Sequence, residues 1–159
     1  MKFNNETILL LINTMKKYGW IDLPAHGTSM FPLIKKGEIC RFVSFEIDSL
    51  KRGDIILYHS SSGQLVAHRF YKELKTNDKV HYILKGDTNL HLDDPIFHEQ
   101  IIGKLVMIQK KTSKLYLTDF SVTYWGWVII KFPILTKVLR RFLTNKVLKK
   151  LSMEFPHDA

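Results

Sequence analysis

Five short runs dominate the middle of the chain: EICRFVSF, DIILYHS, QLVAHRFYK, KVHYILKG and IIGKLVMIQ. Each is rich in β-branched and aromatic residues and is too short for a stable helix of its own. The segments between them, KRGD, SSSG, KTND and DTNLHLDDP, are turn or loop material. SSSG joins two such runs as a hairpin. Runs this short bury their backbone polar groups by pairing, and close spacing makes that pairing antiparallel. Residues 20–118 are therefore expected to form a compact, mainly β, antiparallel domain.

The two flanks differ from this middle. Residues 4–18, NNETILLLINTMKKY, read as an amphipathic helix. Asn4 or Asn5 can cap it, Glu6 lies in its first turn, Lys16 and Lys17 lie in its last, and Gly19 can end it. After Asp119 no acidic residue occurs until Glu154. There Ile134, Leu135, Val138, Leu139, Phe142 and Leu143 recur at helical spacing among Lys137, Arg140, Arg141, Lys146, Lys149 and Lys150. Trp125 and Trp127 precede this helix, and Pro133 suits its first turn. The division expected is an N-terminal helix at 1–19, the β domain at 20–118 and a basic helical segment at 119–159.

Composition limits the partners. The chain has 159 residues, enough for one domain with a core, and a formal charge of +9, which favours an anionic partner. A basic amphipathic helix with aromatics at one end suits a membrane surface, and the same helix could instead pack its apolar stripe on the β domain. Nucleic acid is not expected, because no recognition motif accompanies the charge. The single cysteine, Cys40, cannot form an internal disulfide and reads as a small buried residue in a strand. No zinc spacing, HExxH or P-loop pattern occurs, so neither metal nor cofactor is expected. TILLLI is shorter than the ~20 apolar residues of a spanning helix. Its charges also lie on the wrong side for a secretory signal. The expected location is peripheral on a membrane, on the cytoplasmic side.

HGTSMFP, residues 26–32, places Ser29 in a loop before the first strand-like run. A serine becomes a nucleophile when a base takes its proton and donors meet the developing oxyanion. His68, in VAHRF within an apolar strand, is the candidate base. A carboxylate on the other ring nitrogen would fix its tautomer and stabilise the imidazolium. Arg69, on the opposite face of a regular strand, reads as structural or as a partner of Asp87 or Asp54.

In order, the chain offers GxSMxP, RGDI followed by apolar residues, an apolar run ending in HR, GDxN, DDP and IGK. This order resembles the type I signal peptidases, in their endoplasmic-reticulum-like branch, over about residues 21–108. The resemblance implies a signal peptidase/LexA-like fold and a serine endopeptidase that cuts a signal or leader peptide after small residues. It assigns Ser29 as nucleophile and His68 as general base. Asp94 best matches the acidic third member, since it precedes proline and lies before IIGK, and Asp93 could hold the role instead. The loop DTNLHLDD is one residue longer than the family's pattern. Asp87 matches an acidic position that supports the site. The Ser29 N–H is the expected oxyanion donor, and Gly27 stands where some relatives add a serine hydroxyl.

The chain departs from that family in lacking an apolar spanning segment before the serine, which points to a cytoplasmic leader as substrate. Two other readings remain. One is a self-cleaving repressor-type peptidase with Lys72 as base, although no DNA-binding domain is recognisable. The other is a non-catalytic module that keeps the fold and binds a membrane or partner protein.

Overall fold

The computed structural model describes residues 4–76 and 79–154. Asn77 and Asp78, at the tip of the expected KTND turn, and His157 lie outside the described residues. The architecture is a seven-stranded antiparallel sheet with three α-helices. Helix and strand contribute about equally, which corrects the expectation of a mainly β chain. The extra helix lies at the C-terminal end.

Helix α1 (Asn5–Tyr18) begins where Asn4 accepts a hydrogen bond from the Thr7 amide at 2.9 Å, and it ends at Gly19 with φ of 76°. It places Met15 in the core. The strands are β1 (Trp20–Pro24), β2 (Ile39–Val43), β3 (Ile55–His59), β4 (Leu65–Thr76), β5 (Lys79–Lys85), β6 (Ile101–Gln109) and β7 (Lys114–Tyr116). They run in the order β1-β2-β6-β3-β4-β5, with β7 added beside β6. The five sequence runs supply β2 to β6. Strands β1 and β7 were not expected: β1 carries Asp22 and Pro24, and proline fits a strand only at an edge or end.

Strand β3 lies inside the sheet and is buried on both faces. Ile55 and Leu57 join a core with Met15, Phe42, Leu105 and Ile108. Ile56 and Tyr58 join a second core with Phe70, Tyr82, Leu84 and Ile96. This two-sided burial explains why IILY reads as a continuous apolar run. The SSSG hairpin forms, closed by the Ser60 amide donating to the Gln64 carbonyl at 2.9 Å.

The C-terminal segment holds two helices, not one: α2 (Phe120–Lys131) and α3 (Ile134–Glu154). Trp125 and Trp127 lie inside α2, which corrects their expected place ahead of the helix. Pro133 makes the break, since it has no N–H to donate and restricts the residue before it. The two axes meet at 102°. No single helix among the described residues is long and apolar enough to cross a membrane.

Candidate active site

Ser29 lies in the loop between β1 and β2, and the turn after β5 clamps that loop. The Thr88 amide donates to the Ser29 carbonyl at 2.9 Å, and the Thr88 hydroxyl lies 3.2 Å from the Thr28 carbonyl. The Phe31 amide donates back to the Thr28 carbonyl at 3.0 Å. Among the described residues, the Ser29 N–H makes no backbone hydrogen bond.

His68 lies on β4 opposite Ile56 and is buried. Its Nδ1 is 2.6 Å from Asp93 Oδ2. A carboxylate only accepts, so Nδ1 carries the proton and the Nε2 lone pair of the neutral ring is free to act as a base. Tyr58 donates to the same Asp93 oxygen at 3.1 Å. Burial, then the charge of Asp93, pushes the Tyr58 phenol well above its ordinary range. The hydroxyl therefore remains a donor at neutral pH.

The expectation for Asp94 is corrected: the carboxylate on His68 belongs to Asp93, and Asp94 is exposed. Hydrogen bonds to β5 set the phase of this loop. The Asp93 amide donates to the Leu84 carbonyl at 2.8 Å, and Tyr82 and Ile96 exchange two backbone bonds at 2.8 and 3.1 Å. Asp93 is thereby held against β5 beside His68.

Among the described residues, Asp87 makes no hydrogen bond to His68. It makes a bidentate pair with Arg69, Nε to Oδ1 at 2.9 Å and NH2 to Oδ2 at 2.8 Å, and both side chains are buried. Arg69 also donates to the Gly53 carbonyl at 2.9 Å, and the Trp125 indole donates to Asp87 at 3.0 Å. This network joins β4, the GDTN turn and α2. Gly126 permits it, since a Cβ there would lie 2.9 Å from the Arg69 guanidinium. Gly86 has a parallel role, because a Cβ there would meet His68 Nε2 and the Asn89 side chain at 3.0 Å.

Ser29 and His68 line one cleft of about 530 Å³, together with Leu23, Met30, Leu57 and Ala67. Among the described residues no hydrogen bond joins the Ser29 hydroxyl to His68. Catalytic hydrogen bonds commonly tighten only once substrate is bound. Lys72, the alternative base, is exposed and lies past a register shift between Phe70 and Lys72, so the same-face relation of a regular strand does not hold. Cys40 is buried at the cleft, and burial pushes its thiol up to about 12. Sequence reading missed Tyr58, Asn89 and Trp125; their one signal is proximity to the motifs. No protein-family model matches the chain, and no curated protein matches it.

Proposed function

We propose that the chain is a serine endopeptidase of signal-peptidase type, with Ser29 as nucleophile, His68 as base and Asp93 orienting His68. The observation that carries this reading is the 2.6 Å contact of His68 Nδ1 with Asp93, in a cleft that Ser29 also lines. Ser29 Oγ attacks the scissile carbonyl and His68 Nε2 takes its proton. The oxyanion forms at the Ser29 N–H. The imidazolium then protonates the leaving amine, and water hydrolyses the acyl-enzyme by the same steps.

The cleft suits an extended peptide. Leu65 to His68 of β4 pair with β3 on one side, and β5 joins β4 only from Arg69 onward. Strand β1, whose Leu23 and Pro24 also line the cleft, is an edge of the sheet. Open strand edges bind peptide backbone, and apolar walls set side-chain preference. The substrate class is a precursor protein with a signal or leader peptide, cut after small residues.

Mass spectrometry of protein N-termini in cells carrying wild type or Ser29→Ala tests this reading. New termini that follow small residues and need Ser29 are expected. Identical termini in both strains would favour a non-catalytic binding module.

A further inference from the structure

Helix α2 has two faces. Val122, Gly126 and Ile129 are buried, at i, i+4 and i+7. Phe120, Tyr124 and Trp127 repeat the same spacing and are 84%, 56% and 55% exposed. These rings form a continuous ladder: Phe120 to Tyr124 at 6.0 Å, Tyr124 to Trp127 at 6.1 Å, and Trp127 to Phe132 at 6.0 Å. Exposed apolar patches of this kind mark an interaction surface. Tryptophan and tyrosine suit a boundary that is apolar on one side and wet on the other.

Helix α3 follows Pro133 at 102° to α2. Ile134, Val138, Phe142, Val147 and Leu148 are exposed, and so are Lys137, Arg140, Arg141 and Lys146. No acidic residue occurs from Phe120 to Met153, so the charge here is of one sign.

We propose that the aromatic ladder of α2 and the cationic helix α3 dock the protein on an anionic lipid bilayer surface. Aromatic rings enter the headgroup boundary while lysines and arginines meet lipid phosphates. The helices are tied to the body by Val122 in the core, by the Trp125 indole bond to Asp87 and by Phe142 stacked on Phe31 at 5.9 Å. Phe31 is two residues from Ser29, so docking holds the cleft at the bilayer surface. The proposal is independent of the peptidase reading.

Flotation of the full chain with two kinds of vesicle tests it: phosphatidylcholine alone, and an equal mixture of phosphatidylcholine and phosphatidylglycerol. Binding to the mixed vesicles is expected, weak on phosphatidylcholine and falling steeply as salt rises. The double variants Phe120→Ser/Trp127→Ser and Arg140→Glu/Arg141→Glu are each expected to lose about tenfold or more. Both replace exposed residues, so circular dichroism and thermal unfolding should match wild type. Absence of binding, equal binding to both vesicles, or unaltered binding by the folded variants would overturn the proposal. So would a concentration-dependent dimer abolished by Phe120→Ser/Trp127→Ser, or preferential binding to duplex DNA over the mixed vesicles.

Discussion

The His68 imidazole is bonded through Nδ1 to Asp93, at 2.6 Å, and not to the neighbouring Asp94. Adjacent carboxylates thus take different positions from one loop phase. Asp93→Asn keeps the shape but offers His68 an amide that can stabilise the wrong tautomer. It is expected to lower kcat by roughly 10³–10⁴-fold. Asp94→Asn should leave turnover close to wild type. Steady-state rates of the two variants on one peptide substrate check this, and the reverse order would assign the role to Asp94.

Gly86→Ala tests how closely the turn is fitted to the base. The added methyl meets His68 Nε2 and the Asn89 side chain at 3.0 Å, so these two side chains must give way slightly. A shift this small is expected to lower kcat/KM by roughly several-fold, less than the ~10²-fold that a misplacement of about 1 Å costs. Peptide turnover beside a thermal melt separates this effect from loss of fold.

The Arg69–Asp87 pair should govern stability. Both side chains are almost fully buried, at 1% and 2% exposure, so removing one leaves the other charge uncompensated. Asp87→Ala or Arg69→Ala is expected to cost about 3–5 kcal/mol in urea unfolding. Trp125→Phe, which removes one hydrogen bond to the same carboxylate, should cost less, about 1.5–3 kcal/mol.

Cys40 should be inert while the protein is folded. Its thiol is pushed up to about 12 by burial, and only the thiolate reacts. The sign is that of an acid whose charged form is disfavoured in the fold, so at pH 8 the folded thiol stays protonated. Iodoacetamide at pH 8 should label it only after denaturant is added, as read by intact mass.

Much of the sheet was legible because the runs behind β2 to β6 are long in β-branched residues and well separated by turns. Ser29 and His68 were legible for a related reason: each lies in a short motif whose neighbours fix its setting. Strands β1 and β7 were not, since an edge strand ending at Pro24 and a strand of three residues carry little pattern. The choice of Asp93 was hidden as well. It rests on the Asp93–Leu84 and Tyr82–Ile96 backbone bonds, which decide which of the two carboxylates meets His68. Pro133 signalled a break, but the aromatic run before it read as a prelude to one helix and not as a helix itself.

The most direct test uses purified full-length protein and a mixed library of peptides that each carry a small-residue cleavage site, with products read by mass spectrometry. Wild type is expected to cut a subset at single positions, Lys72→Ala to cut the same subset, and Ser29→Ala and His68→Ala to cut none. Cleavage by Ser29→Ala or His68→Ala at the wild-type rate, or no cleavage by wild type of any library member, would contradict the account.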